Sequence, residues 1–224
     1  MKILVISDIH NDIENLMEYL DKIQNLDFDV IVIPGDFTDL PPKGFSSIEI
    51  TKLIIEEIKT LKKPMLSVPG NWDRDIIELL EEEDISIHGR GKIIDEIGFY
   101  GFGGARTPFD TFYEPGEREI EEGLKKGFEE VKKAKVKVQV THMPPFRTKL
   151  DVTYTGAHVG SEAVRKAIEN YKPVLAISAH IHEARGLDEI NGTKLINAGR
   201  FPEGYCGFVE IVNNKVETRI LNLI

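Results

Sequence analysis

The segment Ile3-Leu4-Val5-Ile6-Ser7-Asp8-Ile9-His10 opens the chain with an apolar run that ends in polar side chains. Four consecutive apolar residues predict a short strand that is buried on both faces. Asp8 and His10 follow at once, and residues two apart in extended backbone point the same way. We therefore expect a carboxylate and an imidazole side by side just past the strand, as metal binding requires. Taken alone, the segment fits an ordinary surface turn better.

Four later apolar runs end in the same way, each in a potential metal ligand. They cover residues 30–33, 65–68, 136–140 and 174–177. Amphipathic helices are expected between the first strands, over 12–26 with Asn11 as N-cap, and from a Ser46/Glu49 capping box to about residue 61. Strand-helix-strand alternation predicts a parallel sheet with its ligands in loops at the carboxyl ends of the strands.

Hairpins are expected in the middle and at the end of the chain. Residues 92–98 and 99–103 predict one hairpin. A charged helix is expected near 117–133, and another helix is expected over 162–171. Asn191-Gly192 and Asn213-Asn214 predict two-residue turns of two further hairpins. No linker, low-complexity tract or internal repeat interrupts the pattern, so we predict a single domain over residues 1–224.

The net charge, the cysteine count and the lengths of the apolar segments restrict the binding partners and the cellular location that we expect. The net charge of -10 argues against general nucleic-acid or anionic-membrane binding, which needs basic patches. A small phosphate-bearing substrate stays compatible if metal ions make the site locally positive. A single cysteine, no visible signal peptide and no long apolar segment predict a cytoplasmic protein. The sequence leaves a monomer and a homo-oligomer equally open.

The five strand ends together carry seven candidate ligands, which makes chance an unsatisfactory explanation. They are Asp8, His10, Asp36, Asn71, His142, His180 and His182. Seven ligands are too many for one ion and suit two ions, with a carboxylate bridging them. Mixed oxygen and nitrogen donors suit Mn²⁺, Fe, Co²⁺ or Zn²⁺, whereas Ca²⁺ and Mg²⁺ prefer oxygen alone.

The order of these motifs resembles the calcineurin-like metallophosphoesterases. The series is Asp8-x-His10, Gly35-Asp36, Gly70-Asn71-x-Asp73, Thr141-His142 and His180-x-His182. The segment 156–183, with His158-Val159-Gly160-Ser161, resembles the Icc-related prokaryotic branch. The resemblance implies an α/β fold, a four-layer α/β/β/α sandwich of two mixed β-sheets flanked by helices.

The resemblance also implies a dinuclear site and a reaction. Asp8, His10, Asp36 and His182 would hold one ion, and Asp36, Asn71, His142 and His180 would hold the other. The cofactors would be two divalent transition-metal ions, with manganese preferred and Fe, Co, Ni or Zn as alternatives. A hydroxide bridging the ions would attack phosphorus in line with the departing oxygen. The expected substrates are small phosphate esters, phosphodiesters or nucleotides in preference to monoesters.

One residue departs from the family pattern. Trp72 stands where the family has a histidine close to the substrate phosphate. An indole N–H has no accessible pKa, so Trp72 cannot protonate a leaving oxygen. It is either an aromatic packed beside the site or a platform for a base or aryl group of the substrate.

His158 is the candidate to replace the lost histidine, with both a catalytic and a substrate-binding role. Asp36 and Asn71 are the other candidate catalytic residues. The alternative for His158 is an exposed loop histidine. Arg106 is a candidate for binding a phosphate oxygen, against a merely solvated arginine. A binding scaffold is the rival function, because the retromer scaffold subunit resembles this family and uses the fold for protein contacts. Trp72 gives this rival weight, and the intact ligand set weighs against it.

Overall fold

The computed structural model describes residues 1–224 as eleven strands and five α-helices. The strands are β1 (Lys2–Val5), β2 (Val30–Ile33), β3 (Met65–Ser67), β4 (Arg90–Ile94), β5 (Ile97–Phe102), β6 (Val136–Thr141), β7 (Leu175–Ser178), β8 (Gly186–Ile190), β9 (Thr193–Asn197), β10 (Tyr205–Val212) and β11 (Lys215–Asn222). The helices are α1 (Ile13–Ile23), α2 (Ser47–Lys59), α3 (Ile77–Glu82), α4 (Glu117–Val131) and α5 (Glu162–Tyr171).

The strands form two mixed sheets. The five-stranded sheet has the order β11-β10-β1-β2-β3, in which β1, β2 and β3 are parallel and β10 and β11 are antiparallel additions. The six-stranded sheet has the order β4-β5-β6-β7-β9-β8, with four parallel central strands and an antiparallel strand at each edge. The parallel strands bring their carboxyl ends to one edge of each sheet.

Alternation along the strands builds the layers. Ile3 and Val5 of β1 are fully buried in a cluster shared with inward-facing residues of the second sheet. Leu4, between them, packs with apolar residues of α1 and α2 on the outer face. On the far side, Leu124 of α4 and Val164 of α5 cover the second sheet. The four-layer α/β/β/α sandwich implied by the resemblance is confirmed.

Two local predictions needed correction. The N-cap of α1 is Asp12, whose carboxylate accepts the N–H of Asn15, while Asn11 adopts a left-handed φ of 62° that suits a turn. The first hairpin turns at residues 95–96 and not at 98–99. Gly98 lies inside β5. A larger residue does not fit there, because a Cβ would sit 2.7 Å from Cβ of Val131 and would push α4 away from the sheet.

Other elements agree with the sequence. The predicted capping box is present, since Ser46 and Glu49 exchange side chain–backbone hydrogen bonds at the start of α2. Helix α5 and the two C-terminal hairpins also form as predicted. None of the five helices combines the length and the apolar run that crossing a bilayer requires.

Candidate metal centre

The loops that follow β1 and β2 are bonded to each other. Because the two strands are parallel, both loops leave the same edge of the sheet. The N–H of Asp8 donates to the carbonyl of Gly35 (3.2 Å), and the N–H of His10 donates to the carbonyl of Asp36 (3.1 Å). The carboxylates of Asp8 and Asp36 are thereby held, buried, under the same surface.

Four of the candidate ligands have left-handed backbone. The φ angles are 54° at Asp8, 49° at His10, 53° at Asp36 and 70° at His180. Residues other than glycine rarely adopt positive φ, and when they do so together they concentrate at functional sites. The strand ends are therefore bent to aim these side chains at one place.

The ligand atoms form two groups, and within each group they lie no more than 4.8 Å apart. The first group is Asp8, His10 and His182, and the second is Asp36, His142 and His180. Asn71 joins the second group, because its Oδ1 lies 3.0 Å from Nε2 of His142. All seven predicted ligands thus lie close together, six of them in the two groups and Asn71 beside the second.

Asp36 lies between the two groups. Its Oδ2 is 3.5 Å from Nε2 of His10 and 3.3 Å from Nε2 of His142. Its Oδ1 accepts the backbone N–H of Trp72 at 3.2 Å. One carboxylate oxygen therefore lies next to an imidazole of each group.

Neighbouring groups prepare the imidazoles for metal binding. Nδ1 of His142 lies 2.7 Å from the carbonyl of Pro34, and donation there directs Nε2 towards the site. Burial lowers the pKa of His180 to about 4, so this ring is neutral at physiological pH. The pKa of His142 is raised to about 9, because Asp36 and Asp8 outweigh the opposing effect of burial. A metal cation would displace that proton and take over the charge compensation.

The donor set fits metal ions. Oδ2 of Asp8 is buried and has no hydrogen-bond partner. An unpaired buried carboxylate oxygen is costly, and a coordinated cation would satisfy it. Carboxylate, imidazole and amide donors together suit divalent transition metals. The residues therefore fit a pair of such ions.

Two further carboxylates support the ligands and were not given a role from the sequence. Asp73 is fully buried and accepts the N–H groups of Phe37, Thr38 and Gly70, which ties the loop after β2 to the loop after β3. Burial, followed by repulsion from Asp36, raises the pKa of Asp73 to about 6.

Asp39 is the other supporting carboxylate. Its Oδ2 lies 3.7 Å from Nδ1 of His10, and its Oδ1 accepts a hydrogen bond from the side chain of Asn11. At this distance the contact between the carboxylate and the imidazole is electrostatic and not a hydrogen bond. The spacings Asp36-x-x-Asp39 and Asn71-x-Asp73 are the sequence signals that place a second carboxylate near a ligand.

A cleft of about 920 Å³ opens above the two ligand groups. Its floor includes His10, Asp36, Asn71, His180 and His182, and its walls include residues from 106–111 and 153–159. Arg106 and Trp72, the residues expected to contact the substrate, both line this cleft. Trp72 is also packed, because its ring meets the ring of Phe112 edge-on at 5.5 Å between centroids. Trp72 is therefore both packed beside the site and exposed to the cleft, where it could serve as a platform for the substrate.

The structure does not bring His158 into the cleft. Its Nδ1 lies 2.7 Å from Oδ1 of the buried Asp151, which also accepts the N–H of Gly160. Ala157 and Val159 line the cleft instead. Since neighbours in extended backbone point to opposite sides, His158 faces away. This position is that of a loop anchor and differs from the substrate-facing position that the sequence predicts.

Comparison with known proteins identifies relatives over most of the chain. A family profile described as calcineurin-like phosphoesterase matches residues 1–184. An uncharacterized protein of Methanocaldococcus jannaschii is 35% identical over 214 residues, which cover 92% of this chain and 90% of that protein.

Solved structures share the fold at low sequence identity. A protein of Thermus thermophilus is similar with a TM-score of 0.76 at 20% identity, over 100% of this chain and 99% of the other. A structure described as a novel archaeal phosphodiesterase gives a TM-score of 0.57 at 16% identity, over 99% and 100% of the two chains.

Proposed function

Because this chain belongs to the calcineurin-like phosphoesterase family, a family of metal-dependent hydrolases, we propose that it is a dinuclear phosphodiesterase acting on small molecules. The observation that carries this proposal is the position of Asp36, whose Oδ2 lies within 3.5 Å of an imidazole nitrogen in each ligand group. One shared carboxylate makes the two groups a single catalytic unit.

The chain's own residues position and charge the site. Asp8, His10, Asp36 and His182 would hold one ion, and Asp36, Asn71, His142 and His180 the other. When bound, two divalent ions would supply an activated water and neutralise charge on the phosphate. The mixed oxygen and nitrogen donors suit manganese, iron, cobalt or zinc, and manganese is the ion we propose to test first. The backbone N–H of His180 donates to Oδ1 of Asp8 at 3.3 Å and so keeps that carboxylate aimed at its site.

Two features of the cleft indicate which phosphate esters it suits. Arg106 is the only arginine or lysine that lines it, which suits a singly charged diester better than a doubly charged monoester. Trp72 offers no proton for the leaving oxygen, so substrates with stable leaving groups are favoured. The likeness to an archaeal phosphodiesterase agrees with this assignment. The net charge of -10 favours small substrates over nucleic acids.

Metal reconstitution combined with a matched pair of substrates tests the proposal. Protein stripped with a chelator is reloaded with Mn²⁺, Fe²⁺, Co²⁺, Ni²⁺ or Zn²⁺ and assayed on bis(p-nitrophenyl) phosphate and p-nitrophenyl phosphate, which share one leaving group. We expect metal-dependent hydrolysis that is faster on the diester. Faster monoester hydrolysis would make the protein a monoesterase. Bound metal without hydrolysis of either ester would favour the scaffold function.

A further inference from the structure

Two aromatic side chains project from separate loops into the cleft. Phe109 is 80% exposed and Tyr154 is 91% exposed, yet both line the cleft above the ligand groups. Single exposed aromatics are ordinary on a protein surface. Two that line the same cleft, together with Trp72, give the cleft three aromatic side chains from three separate loops.

The loop that carries Phe109 is held in its conformation by one carboxylate. Oε1 of Glu114 accepts hydrogen bonds from Oγ1 of Thr107 (2.6 Å), and from the N–H (2.7 Å) and Oγ1 (2.6 Å) of Thr111. Oγ1 of Thr107 in turn accepts the N–H of Phe109 at 3.1 Å. A loop tied on both sides of Phe109 holds the backbone from which the ring projects before any ligand arrives, which lowers the entropic cost of ordering the loop on binding.

The base of the same loop is fastened to the metal centre. The N–H of Tyr113 donates to the carbonyl of the ligand Asn71 at 2.8 Å. His88 accepts the N–H of Gly103 on Nδ1 (3.0 Å), and its Nε2 lies 3.2 Å from the hydroxyl of Tyr113. The position of Phe109 is therefore set relative to the ligands below it.

The loop that carries Tyr154 is fixed in a similar way. The N–H of Tyr154 donates to Oε1 of Glu183 at 3.2 Å, and Thr153 closes the loop by donating its N–H to the carbonyl of Ala157 at 3.0 Å. Glu183 follows the ligand His182 directly in the chain. Both aromatic side chains thus depend on segments that also supply metal ligands.

The size of the cleft indicates what these rings contact. A volume of about 920 Å³ is far more than a phosphate group fills, and it is typical of sites for drug-sized ligands. Aromatic side chains stack on a nucleobase with about 1–3 kcal/mol per base. Arg106 adds one positive charge on the wall that also carries Phe109.

We propose that this cleft selects phosphate esters that carry a planar aromatic group, which binds against Phe109, Tyr154 and Trp72 while the phosphate lies over the ligand groups. The inference rests on the proposed function for the position of the phosphate. The aromatic group is a nucleobase or another aryl ring, and the walls are the specificity-determining part of the site.

Trp72 is the only tryptophan of the chain, so its fluorescence reports directly on the cleft. Metal-loaded protein is titrated with inorganic phosphate and with two matched pairs of ligands: phenylphosphonate against methylphosphonate, and adenosine 5′-monophosphate against ribose 5-phosphate. We expect each aromatic member to bind about 10-fold more tightly than its partner, consistent with stacking of about 1–3 kcal/mol. A preference in both pairs, or in the nucleotide pair alone, supports the inference and separates aryl rings in general from nucleobases.

The double variant Phe109→Leu/Tyr154→Leu should lower the ratio of affinities within each pair, because Trp72 is then the one contact left for the aromatic group. Phe45→Leu is the matched control, because Phe45 is 53% exposed and does not line the cleft; its ratios should equal those of the wild type. Equal binding of both members of both pairs by the wild type would overturn the inference. If phosphate binds and only the preference is missing, the proposed function survives. If neither metal nor phosphate binds, both fail.

Discussion

The floor and the walls of the cleft are held in place by different means. Floor ligands such as Asp8 and Asp36 are buried at the ends of parallel strands, and left-handed backbone aims them. The walls are exposed loops whose shape depends on side-chain hydrogen bonds to Glu114 and Asp151. The floor is therefore fixed by the sheet architecture, and the walls are fixed by a few polar contacts each.

This difference separates chemistry from selectivity. A ligand at the end of a strand cannot move without disturbing the hydrogen bonds between β1 and β2, so the floor tolerates little change. Loops on a rigid scaffold can vary their side chains with little effect on the core. Changes in the floor should therefore abolish activity, whereas changes in the walls should alter which substrates bind or how stable the loops are.

The largest loss of function is expected when the floor is disturbed without removing a ligand. A Cβ on Gly70 would overlap Oδ1 and the backbone nitrogen of Asp36, so Gly70→Ala must displace the shared carboxylate. We expect metal affinity to fall about 100-fold, the upper end for changes that misorient ligands. Gly116→Ala is the control, because no atom lies within 4 Å of its added Cβ. Equal metal affinity in the two variants would show that the floor is more tolerant than its geometry indicates.

Trp72→His introduces a proton donor at a residue that lies between the floor and the walls of the cleft. Without a proton donor there, the departing oxygen carries more charge in the transition state, so the wild-type rate should depend steeply on leaving-group pKa. A histidine should flatten that dependence and accelerate alkyl esters most, by up to about 10²–10⁴-fold. The comparison uses folded, metal-loaded proteins on a series of aryl and alkyl diesters. Identical slopes would mean that residue 72 does not act on the leaving group.

The anchor beneath the Phe109 loop should respond to acid. Burial, assisted by the charges of Lys126 and Arg90, lowers the pKa of His88 to about 4. The unfolded chain then binds the proton more readily, so stability is present near pH 7 and is lost as the pH falls below about 6.5.

Urea unfolding in EDTA measures this loss for the wild type and for His88→Gln. Between pH values of about 7 and 5 the wild type should lose about 2 kcal/mol more than the variant does. Equal losses would show that the stability of the wall loop does not depend on a neutral His88 ring.

His158→Ala is expected to have the smallest effect on turnover. Because the ring binds Asp151 and faces away from the cleft, turnover should stay within about twofold of the wild type and the free energy of unfolding should fall by about 1 kcal/mol. Rate measurements on several diesters, with urea unfolding alongside, decide the matter. A rate loss of about 10²–10⁴-fold would restore the role in catalysis that the sequence predicts.

Most candidate ligands of the floor could be predicted, because short local sequence patterns identify them. Each ligand lies a few residues beyond the end of an apolar run, and parallel strands bring such positions to one edge. The partition into two groups came from the resemblance to a family. The pairing of β1 with β10 could not be predicted, because it joins residues about 200 positions apart, such as Lys2 and Glu210, and no local signal specifies it.

The walls were largely beyond prediction. Phe109 and Tyr154 lie in loops, where no hydrophobic period distinguishes an aromatic that lines a cleft from one that faces solvent. The orientation of His158 depends on one buried carboxylate, Asp151, whose importance appears only when the loop is folded. Exposed, irregular segments carry their information in tertiary contacts, and these are not visible in the sequence.

Metal content of two matched variants tests most directly the claim that one carboxylate serves both ion sites. Equilibrium dialysis followed by elemental analysis counts the bound ions in the wild type, Asp8→Asn and Asp36→Asn, with circular dichroism to confirm folding. Asp8 belongs to one ligand group, whereas Asp36 contacts both. The account predicts two ions per chain in the wild type, one in Asp8→Asn and fewer than one in folded Asp36→Asn. Retention of two ions by Asp36→Asn, or of the same single ion as Asp8→Asn, would contradict it.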